Sequence, residues 1–128
     1  DAVYLIKVTG KQFKQMIHFM LRDEALSGSH CEFYQLSSGM RITYDTTKHS
    51  FDTFMLNGED VEDSKIYKVG LQRYHFNNFD EFFALPLEEV SQNEVPRVIT
   101  TSCRNVLDEY LSNHQNLERD ISGRLVIR

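Results

Sequence analysis

One stretch of ten residues, YHFNNFDEFF at positions 74–83, combines side chains that bind flat, hydroxyl-bearing ligands. It holds five of the chain's fifteen Phe and Tyr residues, together with two Asn, one Asp, one Glu and one His. Aromatic faces stack on nucleobases, and carboxylate or amide oxygens accept hydrogen bonds from sugar hydroxyls. Composition equally fits a loop and a short helix that are anchored in the core by their phenylalanines. Those phenylalanines are Phe76, Phe79, Phe82 and Phe83.

Outside this stretch, the sequence holds no recognisable catalytic or metal-binding set of side chains. No pair of the five histidines has the HxxxH or HxH spacing of a metal site on one element. His18, beside an apolar helix face, is interpreted as structural, and His49 as a solvated turn residue. Nucleophile-elbow, P-loop and GxGxxG motifs are absent, and adjacent acidic residues are most simply solvated charges. We therefore expect neither a catalytic residue nor a metal or other cofactor within this sequence.

The composition narrows the range of partners. A formal net charge of −5 argues against a nucleic-acid-binding surface, because phosphate contacts need clustered Lys and Arg. The 128 residues are expected to form a single domain. No membrane span or targeting segment is visible, and the strand-like opening DAVYLIKV, which lacks a Met, indicates a fragment of a longer protein. Cys31 and Cys103 lack metal-binding spacing, and both a disulfide and two unrelated thiols remain open.

Hydrophobic periodicity predicts an α+β domain with mixed or antiparallel sheets and two main helices. Residues 2–8 are a predicted strand. Thr9 and Gln12 form a capping-box pattern, which begins an amphipathic helix over residues 10–23. The Met and aromatic stripe of this helix is expected in the core, and a loop is expected at residues 27–29. Further strands are predicted at residues 32–36, 40–44, 51–56, 65–71 and in the closing SGRLVIR, and those at 40–44 and 51–56 are expected to form a hairpin.

Shorter elements complete the prediction. The Asn-Gly pair at 57–58 indicates a tight turn. Residues 79–85 form a short helix that Pro86 stops, and the acidic residues 88–94 form a surface excursion. Thr101 or Ser102 caps the second main helix. The inner face of that helix is predicted to comprise Val106, Leu107, Tyr110 and Leu111.

Several stretches, in this order, resemble the C-terminal domain of the 5'-nucleotidase family, which includes 2',3'-cyclic-nucleotide phosphodiesterases and UDP-sugar hydrolases. They are VTGKQF, SSGMRITYD, LNGEDVEDSKIYKVGL, the aromatic stretch, NVLDEYL and the terminal GRLVI. The resemblance spans nearly the whole chain. It implies the fold of that domain, placed after an N-terminal metallophosphoesterase domain of the same chain. That N-terminal domain would carry two divalent metal ions and the catalytic residues.

The resemblance also implies a site for a nucleotide or nucleoside-type small molecule. In the family, this domain supplies substrate specificity: two aromatic rings sandwich the base and an Asp binds the ribose hydroxyls. Tyr74 falls at the stacking aromatic, and Asp80 at the ribose-binding Asp. Gly28 falls where family backbone approaches the ligand, and Asp1 matches a family Asn. The second ring of the sandwich would lie upstream of this sequence. An extracellular, cell-surface or periplasmic location is implied, and a cytoplasmic one stays open.

The chain departs from the family pattern in the loop that surrounds the ribose-binding position. Asn78, Phe79 and Glu81 replace three glycines, and their side chains would crowd a ligand. Two functions therefore stand side by side. The chain is a substrate-specificity domain of a metal-dependent 5'-nucleotidase or 2',3'-cyclic-nucleotide phosphodiesterase, or a non-enzymatic packing or partner-binding module with a decayed nucleotide pocket. An independent small enzyme is disfavoured because no catalytic set is visible.

A division of labour is expected within the aromatic stretch. Phe76, Phe79 and Phe83 should be substantially buried and should anchor the stretch to the core. Tyr74 should stay accessible, since its hydroxyl prefers a wet end, and Asp80 should stay accessible because burial of an unpaired carboxylate is costly. Both accessible residues are expected on the side that faces the catalytic domain.

Overall fold

The computed structural model describes residues 2–28, 35–100, 103–113 and 123–128. Helices and strands mix along these residues, which confirms the α+β class. In chain order the elements are β1 (Val3–Thr9), α1 (Gly10–Met20), α2 (Asp23–Ser27), β2 (Met40–Asp45), β3 (Ser50–Leu56), β4 (Glu59–Asp60), β5 (Ile66–Gln72), α3 (Arg73–Asn77), α4 (Phe79–Phe83), α5 (Leu87–Ser91), β6 (Arg97–Thr100), α6 (Cys103–Asn113) and β7 (Leu125–Ile127).

The described strands form two sheets. The first has the order β5-β1-β6, with β1 antiparallel to both neighbours. The second has the order β4-β3-β2-β7, in which β2 and β3 form the predicted hairpin and β7 pairs parallel to β2. Asn57 and Gly58 both have positive φ, at 52° and 83°, and form the predicted turn between β3 and β4. These pairings confirm the prediction of mixed and antiparallel sheets.

The helix α1 begins at the predicted capping box. Thr9 Oγ1 accepts a hydrogen bond from the Gln12 backbone N–H at 3.1 Å, and Gln12 Oε1 accepts one from the Thr9 N–H at 2.9 Å. Gly10 lies against the segment that follows β4, where a Cβ atom would approach the Glu62 carbonyl oxygen to 1.9 Å. The helix ends at Met20, short of the predicted residue 23, and the separate helix α2 follows.

The core lies on both sides of α1. One cluster is built from β1, α1, α4 and the start of α5, and the other from α1, β2 and β3. Phe13 and Met20 of α1 pack against both clusters, so this helix connects the two sheets. The first cluster consists of Ile6, Val8, Met16, Phe79, Phe83, Leu85 and Val90. The second consists of Ile17, Leu21, Met40, Ile42, Tyr44, Phe54 and Val61.

The second main helix, α6, is present, but its predicted inner face is wrong. Leu107, Tyr110 and Leu111 are 55%, 46% and 44% exposed. An apolar stripe at helical spacing identifies a face, but it does not identify which element covers that face. The predicted caps at 101–102 lie outside the described residues, as does the Val106 side chain.

Three shorter predictions also need correction. Residues 88–94 are not simply a surface excursion, because most of them belong to α5, whose Val90 is 1% exposed and belongs to the core. Ser27 ends α2 and does not open the predicted loop. The strand predicted at residues 32–36 is absent from its described part, since Gln35 and Leu36 lie outside any strand. The strand β6 was not predicted, because its four residues carry no alternating pattern.

Candidate functional site

The candidate site lies where β5 ends and α3 begins. The cross-strand pair Val3–Gln72 closes the ladder between β1 and β5, and the Arg73 N–H then donates to the Ala2 carbonyl oxygen at 2.9 Å. The start of the described chain is therefore adjacent to the residue that precedes Tyr74. Asp1, which the family resemblance places in the site, lies outside the described residues.

Tyr74 presents an aromatic ring to solvent from the first turn of α3. Its side chain is 62% exposed. The Phe82 ring packs edge-on against it with centroids 5.4 Å apart, and the His75 ring does so at 5.7 Å. His75 and Phe82 also contact each other at 5.2 Å, so the three rings form one cluster. Edge-to-face pairs of this kind are favourable, at about 0.5–1.5 kcal/mol each, and they restrict the position of the Tyr74 ring.

The residues directly after Tyr74 are helical, whereas a loop was predicted there; α4 confirms the short helix predicted at residues 79–85, although it ends at Phe83. Asn78 joins α3 to α4 and donates from both its backbone N–H and its side-chain amide to the Tyr74 carbonyl oxygen, at 3.2 Å and 2.8 Å. The φ angle of Asn78 is −116°, and neither Phe79 nor Glu81 has a positive φ. Two short helices therefore replace the conformation that would need glycine. This explains how the chain accommodates side chains at all three positions.

The phenylalanines anchor these helices as expected. Phe79 and Phe83 are 2% and 3% exposed and belong to the core cluster that includes α1. Phe76 is half-buried and stacks on Tyr4 of β1, with centroids 4.0 Å apart and ring planes inclined by 1°. Phe79 and Phe83 are therefore buried and Tyr74 and Asp80 exposed, as predicted, whereas Phe76 is only half-buried.

Asp80 is exposed, but one of its oxygens has a structural partner. Its Oδ1 accepts a hydrogen bond from the Leu87 N–H at 2.8 Å, which satisfies a donor in the first turn of α5. Between the two residues, Ala84 adopts a left-handed conformation at φ 49° and ψ 37°, and Pro86 precedes α5. The Asp80 hydrogen bond thus closes the tight connection between α4 and α5. The sequence carried no recognisable signal for this role, because the contact depends on the left-handed turn at Ala84.

Gly28 is exposed at the end of α2, with φ −75° and ψ 157°. In the part of the chain that the structure describes, no hydrogen bond joins Gly28 to Tyr74 or Asp80. The structure therefore places Tyr74 and Asp80 on two consecutive helices and leaves Gly28 on a separate element.

A cleft of about 540 Å³ adjoins the site and was not anticipated from the sequence. Gln72 and His75 line it beside Tyr74, whereas Tyr74 itself and Asp80 do not. Its remaining walls come mainly from β5, from the ends of β2 and β3, and from α1. The apolar stripe of α1, which was assigned wholly to the core, lines the cleft as well. That stripe consists of Phe13, Met16, Ile17 and Met20.

Across the described residues, His, Cys, Asp and Glu side chains nowhere gather in a group of three that could hold a metal ion. Hydrogen bonds connect His18 of α1, His49 in the turn between β2 and β3, and Asp23 at the start of α2. His18 Nε2 donates to the His49 carbonyl oxygen at 3.0 Å, and His49 Nε2 donates to the Asp23 carboxylate at 3.1 Å. Both histidines donate through Nε2. This chain of bonds fastens the turn to the helices, as the structural interpretation of His18 expected.

The class of protein follows from the sequence comparison. The family model described as 5'-nucleotidase, C-terminal domain, matches residues 1–86 of the chain. The chain belongs to the 5'-nucleotidase C-terminal domain family, which confirms the resemblance found in its motifs. The matched range contains both Tyr74 and Asp80 and ends at Pro86.

A solved structure supports the same fold. The 5'-nucleotidase precursor from Thermus thermophilus is similar with a TM-score of 0.72 and 16% sequence identity. The similarity covers 98% of this chain and 25% of that one, so the chain spans a quarter of the length of the Thermus protein. No curated protein matches the chain. Among the described residues, no helix is both long enough and apolar enough to cross a membrane.

Proposed function

We propose that the chain is the nucleotide-specificity domain of a metal-dependent 5'-nucleotidase or 2',3'-cyclic-nucleotide phosphodiesterase. The observation that carries the proposal is the exposed Tyr74 ring, which is supported by Phe82 and His75 at the end of β5. An exposed, restrained aromatic ring is a platform on which a base can stack, at about 1–3 kcal/mol per base. Membership of the 5'-nucleotidase C-terminal domain family supports the proposal that the ligand is a nucleotide.

The chemistry belongs to a second domain in this proposal. We expect an N-terminal metallophosphoesterase domain in the same chain, since the similar Thermus protein is about four times as long as the matched region. Two divalent metal ions held there would supply the activated nucleophile and the neutralisation of phosphate charge. The described residues of this chain contribute binding and orientation of the base and sugar.

The ligand is proposed to lie across α3 and α4. Tyr74 stacks on the base, while the Asp80 oxygen that does not hold Leu87 accepts from a ribose hydroxyl. Glu81 is exposed beside Asp80, and its negative charge directs the phosphate away from α4, toward the catalytic domain. Asp1 and Gly28 complete the proposed contacts.

Substitution of Tyr74 in the full-length enzyme tests this role. Tyr74→Ala should lower kcat/KM for AMP by about tenfold, which corresponds to the loss of one base stack, and should leave p-nitrophenyl phosphate almost unaffected because that ester has no base. Tyr74→Phe keeps the ring and should retain most of the activity. Tyr110→Ala, which truncates another exposed tyrosine, serves as the control. Equal losses with both substrates would refute the stacking role.

The second candidate, a non-enzymatic packing or partner-binding module, is favoured by one observation. The Asp80 carboxylate already has a structural hydrogen bond, and the helices around it present side chains where the family pattern has glycines. A decayed pocket predicts that Tyr74→Ala has no effect on nucleotide turnover in the full-length protein. The two candidates therefore differ in the outcome of the same experiment.

A further inference from the structure

The solvent-facing side of α1 forms a groove of about 610 Å³ that lies apart from Tyr74 and Asp80. The helix residues that line it recur every three or four positions, so they share the face opposite the core stripe. Phe51 of β3 lines the groove as well, and so does the end of α4 at Phe83. The helix α1 therefore supplies half of the residues that line the groove.

The residues that line this groove carry a small surplus of positive charge on a chain whose formal net charge is −5. Lys11, Lys14 and Arg22 line it beside the His18 ring, against a single acidic residue, Asp63. Lys14 Nζ lies 2.8 Å from the Asp63 carboxylate, and Arg22 Nε lies 3.8 Å from the Glu24 carboxylate. Lys11 is exposed and forms no ion pair with any residue that the structure describes. The surplus of positive charge therefore lies at Lys11.

Aromatic rings lie between these cations. Phe19 and Phe51 are half-buried, so part of each ring contacts the space of the groove. The Arg22 guanidinium lies 3.9 Å from the centroid of the Phe19 ring, a cation–π contact that holds both side chains in place. The arrangement has apolar surface at the centre and charge at the rim, as protein–protein interfaces do.

The spacing of the cations selects the shape of the occupant. The eleven residues of α1 span about 16 Å, with Lys11 near the start of the helix and Arg22 just past its end. One phosphate or carboxylate group cannot contact cations spread over that length, because ion pairs form within about 4 Å. A helix with acidic residues at every third or fourth position repeats its charges at the same interval as α1. The occupant must therefore be long, acidic and partly apolar.

We propose that the solvent-facing side of α1 is a docking surface for an acidic amphipathic helix of a partner protein. The apolar side of that helix contacts Phe19 and Phe51, and its flanking Glu or Asp residues pair with Lys11 and replace the surface ion pairs of Lys14 and Arg22. This is the helix-in-groove mode of recognition with an added electrostatic component. A nucleic acid strand fits less well, since Asp63 and the overall negative charge repel its phosphates.

The test uses two fluorescent 16-residue helical peptides with identical apolar faces, one flanked by Glu and one by Lys. Fluorescence anisotropy measures their dissociation constants for the chain, and amide chemical shifts of the ¹⁵N-labelled chain locate the contact. We expect the Glu peptide alone to bind, to shift amides of α1, and to bind more weakly as the salt concentration rises. Lys11→Gln combined with Lys14→Gln should weaken this binding by about threefold to tenfold.

A matched control removes the same charge elsewhere. Lys7 is ion-paired to Glu94 as Lys14 is to Asp63, and Lys68 is the residue opposite Lys7 on β5. Lys7→Gln combined with Lys68→Gln should leave the dissociation constant unchanged.

Four outcomes would overturn the proposal. They are no saturable binding up to about 1 mM, equal binding of the Lys peptide, equal losses in both pairs of variants, and displacement of the Glu peptide by a single-stranded oligonucleotide that binds more tightly at α1. Because the test measures peptide binding, its result is independent of nucleotide turnover.

Discussion

Asp80 allows a helix-capping role to be separated from a ligand-binding role. Its hydrogen bond to the Leu87 N–H, at 2.8 Å, closes the connection between α4 and α5. Removing such an acceptor from the first turn of a helix costs about 0.5–2 kcal/mol. Asp80 is exposed, so its truncation leaves no cavity to add to this cost. We therefore expect Asp80→Ala to lower the free energy of unfolding by about 1 kcal/mol, measured by urea denaturation.

Asp80→Asn provides the matched variant. Its amide oxygen can still accept from Leu87, while the negative charge is lost. The Asn variant should therefore lose less stability than the Ala variant. If the second Asp80 oxygen binds a ribose hydroxyl, the hydrogen bond of a charged acceptor contributes about 1.5–3 kcal/mol, or roughly tenfold to a hundredfold in kcat/KM. In the full-length enzyme, Asp80→Ala should then impair turnover of AMP and leave turnover of 2',3'-dideoxy-AMP nearly unchanged.

The capping role and the ribose contact of Asp80 are tested by separate measurements. Equal kcat/KM losses for AMP and for its dideoxy analogue would refute the ribose contact and leave Asp80 as a capping residue. An unchanged free energy of unfolding for Asp80→Ala would refute the capping argument, whatever the kinetics show. A loss of stability alone, with unaltered kinetics for both nucleotides, would favour the packing module over the specificity domain.

Three further predictions test other parts of the molecule. Gly10→Ala should destabilise the fold by about 1–3 kcal/mol in urea denaturation, because the new Cβ would approach the Glu62 carbonyl oxygen to 1.9 Å; an unchanged midpoint would contradict this. The pKa of Asp45 is lowered by hydrogen bonds from the Lys48 and Thr47 backbone N–H groups and by the Lys48 charge. The ionised Asp45 should therefore stabilise the fold at pH 7, and this contribution should vanish as the pH falls through the lowered pKa, below about 4. Asp45→Ala should accordingly destabilise the chain at pH 7 but not at the lowest pH, and a difference that persists at low pH would oppose this reasoning. The isolated chain should hydrolyse neither AMP, a 2',3'-cyclic nucleotide nor bis-p-nitrophenyl phosphate with added manganese or zinc, and turnover that survives repurification in proportion to protein would contradict this.

The parts of the fold that were predicted correctly depend on short-range patterns. Thr9 and Gln12 interact within one helical turn, and their capping box is formed as predicted. The hairpin of β2 and β3 follows from alternating residues, and the turn after it follows from the positive φ that Asn57 and Gly58 tolerate. Each of these signals is complete within a few residues, so no knowledge of the tertiary structure is needed to interpret it.

The incorrect predictions depend on contacts between distant segments. The apolar residues of α6 recur at helical spacing, yet Leu107 is 55% exposed. The spacing predicts a helix face but not whether another element covers that face. The apolar stripe of α1 was correctly predicted to be buried, and Met16 is 2% exposed. The same helix face also borders the cleft beside His75, which the sequence pattern did not indicate. Composition drew attention to residues 74–83, but Tyr74 and Asp80 were selected as site residues through the family resemblance. The adjacency of Tyr74 to the chain start could not be predicted, because it depends on the β1–β5 ladder.

The aromatic stretch packs into the core and also holds the Tyr74 ring at the surface. Glycine inside α4 would destabilise the helix by about 1 kcal/mol, and Glu81 in its interior, with Phe79 as its first residue, permits the helix. The helix places Phe79 and Phe83 in the core, at 2% and 3% exposure, while Phe82 projects toward Tyr74 and supports its ring. A ring that is already restrained loses less conformational entropy when a base stacks on it. Burial of the phenylalanines is therefore no evidence against a nucleotide site: it is the means by which this chain would hold Tyr74 in position without the flexible glycine loop.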